Sequence, residues 1–403
     1  MYDAPHQFEP LLPSPAQQAP LLVKAHDLAR SATQLAGLPI APGLRALLRG
    51  MNSYYTNRIE GQHTRPLEIE QALALNFSDN KELAARQRLA VAHIEAEADI
   101  EQRYSGESGS RLLYSSDAIR DLHRELFSRL PAEDLLIVQG ERSQLHVVPG
   151  EFRQREVQVG RHIAPAHDSL PGLLARWSQF YGDTRRGEAA LLALAAAHQR
   201  LGWIHPFGDG NGRVMRLHTH AVLSALGYTN GLWSPLRGFA RSADRYYACL
   251  ADADAPRQGD LDGRGNLSEQ GLVAWIDYVL DVCLDQVKFM SGLLDIGAME
   301  RRIAACLAFE EESLRSGVRR ESLRPLHYLF LTGGELERGE FKTMTGLGER
   351  TAVSALSALV RRGLLKSDTP QGKVRFGLPL HALRFYFPSL WPEAEADAEG
   401  AVQ

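Results

Sequence analysis

The sequence predicts a mainly α-helical protein with a short β-hairpin before its centre and a small helix-and-hairpin module near its C-terminus. Three observations carry that expectation. Apolar residues recur at helical spacing through most of the chain from residue 21 to residue 362. The exception is 142–165, where alternation and β-branched residues point to short strands. Beyond residue 319 the pattern becomes three short helices and a strand–turn–strand, and the charge balance changes with it.

In order, residues 1–20 are rich in Pro, Gln and Ala and are expected to form an extended, poorly ordered arm. A helix follows over 21–36, capped by Gly37 and barred from continuing by Pro39, and another over 41–51. In 52–61, Thr56 and Glu60 are four apart on one helical face, with Gly61 as C-terminal cap. Residues 64–68 read as a turn into a helix over 67–77, and a longer helix covers 81–104. The run SGESGS at 105–110 reads as a loop and as the best break in the first half. A helix is expected over 117–129, then strands over 145–148, 156–159 and 161–163 before Pro165. Downstream helices are expected over 189–203, 214–226 (capped by Gly227), 242–250, 267–290 and 299–314. Residues 260–266 have the outline of a calcium loop, but Arg264 and Gly271 occupy ligand positions, so the stretch is read as a solvated linker.

The stretch most informative about chemistry lies between the helices 189–203 and 214–226: residues 205–213 read HPFGDGNGR, with Arg216 three further on. Glycines at 208, 210 and 212 permit positive φ and put no Cβ in a ligand's way. Their consecutive N–H groups and the helix N-terminus behind them suit phosphate oxygens. Arg213 and Arg216 sit in the first turn and can reach the same anion. Asp209 is the one acid of the loop, and its obvious use is to hold Mg²⁺ bridging phosphates. His205 is the one side chain there able to take a proton near neutral pH. Together these residues suggest phosphoryl or nucleotidyl transfer.

The loop resembles the active-site loop of the Fic family, whose pattern H-x-F-x-[DE]-G-N-G-R-x-x-R is matched by His205, Phe207, Asp209, Gly210, Asn211, Gly212, Arg213 and Arg216. The resemblance implies transfer of AMP from ATP to a hydroxyl side chain of a target protein. It implies His205 as the base, Asp209 as the Mg²⁺ ligand and Phe207 as an apolar anchor. Asn211 and the loop amides, Gly208 included, would meet the α-phosphate, and the two arginines the β/γ end. Thr56–Gly61 resembles the family's inhibitory motif [ST]-x-x-x-E-[GN], which implies that Glu60 pairs with Arg216 and restrains the enzyme. Residues 157–165 resemble the family's β-hairpin flap, which implies that Val157, Gln158, Val159, Gly160, Arg161, His162 and Ile163 dock a target segment as an added strand. Tyr246 and Tyr247 lie where the family often lines the adenine site, and Tyr247 is carried as an ATP contact.

Residues 319–385 hold twelve Lys/Arg against six Asp/Glu, whereas the whole chain has a net charge of −4. Helices over 323–331, 339–345 and 348–362 and a hairpin about a turn at 366–375 resemble a winged helix-turn-helix. Arg350, Arg361, Arg362, Lys373 and Arg375 are its phosphate candidates. The expected domains are 1–105 with the inhibitory motif, 106–310 as the Fic-type catalytic domain, and 319–388 as the winged helix. Cysteines 249, 283 and 306 have no metal spacing, so zinc is not expected. With no signal peptide or membrane run in the sequence, a cytoplasmic protein is the expectation. The partners expected are ATP with Mg²⁺ and a target protein, with duplex DNA and a second copy of the chain as further ones. Two rivals stand beside AMP transfer: removal of AMP or transfer of another nucleotide or phosphate, and a nucleotide-sensing DNA-binding regulator.

Overall fold

The computed structural model describes residues 3–38, 42–139, 143–160, 162–183 and 186–400; Pro39, Ala41, Arg142 and Arg161, named above, lie outside these. The chain divides into two compact units: Met1–Ala36, Asn52–Thr64 and Ala72–Lys288 in the first, Gly37–Met51, Arg65–Gln71 and Phe289–Gln403 in the second. Residues on both sides of 105 fall in the first unit.

The chain opens with α1 (Pro15–Ala36), α2 (Pro42–Ile59) and α3 (Pro66–Leu73), the last two divided between the units. The first unit continues with α4 (Lys81–Arg103), α5 (Gly106–Leu112) and α6 (Ser116–Phe127). Two antiparallel pairs follow, β1 (Leu136–Gln139) with β2 (Ser143–His146) and β3 (Gln158–Val159) with β4 (His162–Ile163). Then come α7 (Leu170–Tyr181), α8 (Glu188–Ile204), α9 (Asn211–Ala225), α10 (Leu236–Arg241), α11 (Ala243–Asp254) and α12 (Glu269–Leu293). The centre is α8, buried along nearly all its length, which packs on α1, α7, α9 and α11. Its alanines let neighbours approach closely: the buried indoles of Trp177 and Trp275 donate to Ala197 O at 3.1 Å and Ala195 O at 2.6 Å. On its other sides α9 meets α4, α5 and α6.

In the second unit, α13 (Ile296–Ala308) runs into a π turn at Phe309–Ser313, and α14 (Leu323–Thr332), α15 (Arg338–Thr345) and α16 (Glu349–Arg361) follow. Strands β5 (Glu335–Leu336), β6 (Leu365–Lys366) and β7 (Val374–Phe376) form an antiparallel sheet in the order β5-β7-β6, and α17 (Leu383–Tyr386) and α18 (Pro392–Gly400) end the chain. Leu329, Phe341, Leu356, Leu359 and Val374 are buried between these helices and the sheet.

The fold is mainly helical, as the periodicity implies, and several local expectations need correction. The N-terminal arm is not loose. Phe8 is fully buried against Trp203 at 5.6 Å, Arg200 Nη2 donates to Pro10 O at 2.8 Å, and α1 begins at Pro15, six residues before the expected start. Tertiary burial overrides the polar composition there. The stretches 41–51 and 52–59 are one helix, and the helix expected over 67–77 stops at Leu73. The 105–110 loop is mostly helix: Gly109 serves packing, since a Cβ would stand 2.1 Å from Tyr104 O. The strand expected over 145–148 is replaced by β1 and β2, and the 156–159 strand shrinks to two residues. Residues 260–266 form a loop organised by buried Asp262, which accepts from Gln258 N at 2.9 Å and Gln270 N at 2.8 Å. Strand β5 had no signal in the periodicity. Arg362 is not a phosphate candidate: its Nε and Nη2 are bound to the buried Glu310 carboxylate at 2.8 and 2.7 Å.

Candidate active site

The loop between α8 and α9 is set by its two ends. Residue 205 closes α8 in the left-handed region (φ 51°, ψ 61°), and Pro206 prevents the helix from continuing. Gly210 (φ 78°) opens α9, and a Cβ there would meet the Phe127 ring at 2.4 Å, so only glycine fits. Phe207 is fully buried and stacks on His123 at 4.0 Å. Asn211 staples the loop: its Oδ1 accepts from Phe207 N and its Nδ2 donates to Phe207 O, both at 2.9 Å. Its amide is thus spent on the backbone rather than held ready for a phosphate.

Two residues that the sequence did not single out complete the frame. His123 Nδ1 accepts from Gly150 N at 2.8 Å, leaving Nε2 to donate to Asp209 O at 3.3 Å; burial pushes this imidazole down to about 4. Arg153, nearly buried, donates from Nε to His205 O at 2.8 Å, from Nη1 to Arg155 O at 2.9 Å and from Nη2 to Pro165 O at 2.6 Å. It ties the loop to the chain leaving the β3–β4 hairpin. Neither residue belongs to a short motif, so only the fold reveals them.

The ring of His205 opens on a cleft of about 630 Å³ whose walls include Glu60, His162, Gly212, Arg216, Tyr247 and Asp254. Burial, with His162 and Arg153 nearby, pushes His205 down to about 4, so the imidazole is neutral near pH 7. Burial pushes the Asp254 carboxyl up to about 6; it accepts from Gln199 Nε2 at 2.6 Å and faces His162 Nδ1 at 3.6 Å. The Asp209 carboxylate is 40% exposed and 3.9 Å from Arg213, too far for a hydrogen bond, so its oxygens are open to a cation. Gly208 and Asp209 also border a neighbouring pocket beside His123.

Residues 56–62 clasp both loop arginines. Glu60 Oε1 is 2.6 Å from Arg216 Nη2, whose Nε donates to Thr56 Oγ1 at 2.8 Å and whose Nη2 also reaches Thr56 O at 3.2 Å. Arg213 donates from Nε to Asn57 Oδ1 at 3.0 Å and from Nη2 to Gln62 Oε1. Burial pulls the Glu60 carboxyl up, but Arg216 and Arg213 outweigh it and hold it below the ordinary range. Glu60 rests directly on Gly212, where a Cβ would lie 2.2 Å from Oε1. Tyr247 donates to Ile59 O at 3.0 Å, while Tyr246 is fully buried and bonded to His198 at 3.0 Å. Asn57, at a free position inside the Thr56–Gly61 motif, and Gln62, just after it, carry no signal in the motif pattern.

The β3–β4 hairpin borders the same cleft through Val159, His162 and Ile163. Gln158 pairs with Ile163 and Val159 with His162, Gly160 turns at φ 58°, and Val157 O accepts from Ala164 N at 3.2 Å. Val159 and Ile163 are exposed, and Arg161 lies outside the described residues.

Residues 113–223, which include α6 to α9 and the loop, match the model of the Fic/DOC family. A stretch of 87 residues, 21% of this chain, is 40% identical to the protein adenylyltransferase Fic of Drosophila mojavensis, and equally to that of Drosophila melanogaster. The chain spans only 17% and 18% of the length of those relatives. Among solved structures, a Fic family protein from Desulfovibrio desulfuricans G20 aligns over 94% of this chain and 99% of its own, with TM-score 0.51 and 17% identity. Fic-1 (aa134 - 508) from C. elegans aligns over 70% of this chain and 74% of its own, with TM-score 0.52 and 17% identity. At such identities the likeness is one of fold. Sequence and fold thus agree on the helices that hold the loop, and this chain carries a Fic/DOC domain over residues 113–223.

Proposed function

We propose that the protein transfers AMP from ATP to a Ser, Thr or Tyr hydroxyl of a target protein. The observation that carries this reading is a neutral, half-buried His205 facing one cleft with the glycine loop and Arg216. The target hydroxyl attacks the α-phosphorus, a P–O bond forms, the bond to the β-phosphate oxygen breaks, and pyrophosphate leaves. His205 takes the hydroxyl proton. The loop amides at the start of α9 offer donors to the α-phosphate, and Arg213 and Arg216 offer charge to the β/γ end once freed from residues 56–62. Asp209 suits Mg²⁺, which binds through one or two carboxylates plus phosphate oxygens and, when bound, screens the triphosphate charge. The β3–β4 hairpin would present the target as an added strand, the exposed Val159 and Ile163 being its apolar contacts.

Labelling with ATP marked at the α- or γ-phosphate tests the reaction. Protein should gain the α label and not the γ label. His205→Ala should lower the rate by about 10²–10⁴-fold with nucleotide affinity nearly unchanged. Transfer of the γ label would instead mean phosphorylation, and unchanged labelling by the variant would remove His205 from the chemistry.

For residues 319–388 we propose a winged helix, supported by three helices and a sheet in the order β5-β7-β6. Its charge is less available than composition implies. Arg375 pairs with Asp368, Arg361 donates to Ser316 O at 3.2 Å, and Lys373 lies 3.6 Å from Glu337, which leaves Arg350 on α16 as the best phosphate contact. If the module holds duplex DNA, Arg350→Ala in the full chain should reduce the salt slope of binding by about one. Absence of binding at low salt would assign the module to protein contacts.

A further inference from the structure

The strands of the β3–β4 hairpin turn one described side chain inward. Gln158, Val159 and Ile163 are exposed, whereas the side chain of His162 is only 13% exposed. Its ring is gripped from two other elements. Nε2 lies 2.8 Å from Trp203 O, near the end of α8, and Nδ1 lies 3.6 Å from Asp254 Oδ2, at the end of α11. A carbonyl oxygen can only accept, so Nε2 carries a hydrogen. In the neutral imidazole Nδ1 then presents its lone pair, and that lone pair faces a carboxyl oxygen. Two lone pairs repel, so the approach is favourable only with one further proton between them, on Nδ1 or on Oδ2. The neighbours do not supply it. Gln199 gives its amide to Asp254 Oδ1 at 2.6 Å, and Arg200 is turned to Pro10 O and Ala253 O at 2.8 and 3.0 Å.

We propose that His162 and Asp254 share one proton and through it position the β3–β4 hairpin against the cleft. The proton belongs to the pair, and both are positioning residues rather than catalytic ones. Burial favours its retention, because it raises the Asp254 carboxyl to about 6, above the ~3.9 of a carboxyl left in water by an open hairpin. A group raised in the closed state favours closure at low pH, and that contribution is lost as pH rises through about 6. From about pH 5 to about pH 8 the closing constant should fall about tenfold. Other charged groups face the pair. Arg200 of α8 favours the ionised carboxyl and opposes retention, His205 at the end of α8 is neutral near pH 7, and Asp252 of α11 and Glu60 of residues 56–62 line the same cleft. The buried imidazoles of His198, His205 and His218 give the helical body the opposite trend, since it loses stability when they are protonated. That the hairpin docks a target rests on the activity proposed above; how it is anchored does not.

Hydrogen exchange of the full chain, without nucleotide or target, tests the pair. Protection of the peptide covering 157–164, corrected for the intrinsic pH dependence of exchange, should fall about tenfold from about pH 5 to about pH 8, while α7 keeps or gains protection. Asp254→Asn sets a permanent N–H against His162 Nδ1 and keeps an acceptor for Gln199, so its hairpin should hold the low-pH protection throughout. His162→Gln, without the ring that reaches both partners, should show low protection at every pH. Should either variant fail to fold, the wild-type profile decides alone. Protection of 157–164 that stays level or rises with pH in the wild type would overturn the proposal, as would an Asp254→Asn hairpin with the wild-type pH dependence. Absence of AMP transfer in the labelling experiment would leave all these results unchanged, so the two readings fail separately.

Discussion

If the protein transfers AMP as proposed, Glu60 and the γ end of ATP would compete for one guanidinium, that of Arg216. Arg216 is fully buried, and its Nε and Nη2 are taken by Thr56 and Glu60. The bond is charge-assisted and its guanidinium is buried, while the Glu60 side chain stays 29% exposed and so can leave the arginine for water. On the proposed activity, ATP bound with Glu60 seated would have its phosphates displaced from in-line attack, and misplacement alone costs about 10²-fold in rate. Glu60→Gly is therefore expected to raise α-label incorporation well above wild type at saturating ATP and Mg²⁺. Arg216→Ala should not, because it removes the lock and the phosphate ligand together. Asn57 and Gln62 hold Arg213 in the same way, so Gln62→Ala should give a smaller rise of the same sign. Equal labelling by wild type and Glu60→Gly would show that residues 56–62 do not restrain the enzyme.

At the scale of elements, the active loop is held from below by a side chain on neither flanking helix. Arg153 joins the α8 end, through His205 O, to Pro165 beyond β4. Its charge is nearly buried, with Glu156 3.8 Å away, so burial draws its pKa down and its value lies in three directed hydrogen bonds. Arg153→Met should destabilise the protein by about 2–4 kcal/mol in urea unfolding, since it leaves buried carbonyls without donors. Arg153→Lys should recover little of this, lacking the planar fork. An unchanged urea midpoint in Arg153→Met would mean water replaces it without loss. This contrast explains what was legible in the sequence. His205 to Arg216 are contiguous, so their chemistry could be read without a fold, and Thr56 to Gly61 became readable beside them. Arg153 and His123 reach the loop from 52 and 86 residues away, and no spacing announces them. His162 was legible in the flap resemblance, but its partner Asp254 comes from a helix further on. Glycines misled where they serve packing, as Gly109 does, and the polar N-terminus misled because burial of Phe8 outweighs composition.

At the scale of the whole molecule, the helical centre encloses imidazoles in their neutral form. Burial pushes His123, His205 and His218 each down to about 4, and His198 well below its ordinary value. In the unfolded chain each would take its proton near 6.5. Between about 6.5 and 4 the unfolded state thus binds more protons at these four positions, and stability falls as pH falls through that window. Asp254 acts in the opposite sense, because its raised value near 6 lets the folded state hold a proton that the unfolded state releases. Burial raises Glu70 as well, and two such groups against four do not reverse the sign. Each of these histidines contributes up to about 1.4 kcal/mol per pH unit within the window, His205 less because it is half-buried. The urea midpoint of the full chain should accordingly drop between pH 7.5 and 5.5 with little change in the slope of the transition. His218 gives the cleanest test, since it is not among the residues lining the cleft and its Nε2 makes a single hydrogen bond, to Leu113 O at 3.1 Å. His218→Gln keeps a donor for that carbonyl and removes the titration, so it should flatten the pH dependence by about the share of one proton. A midpoint that stays level from pH 7.5 to 5.5 in the wild type would mean that these imidazoles are protonated inside the fold.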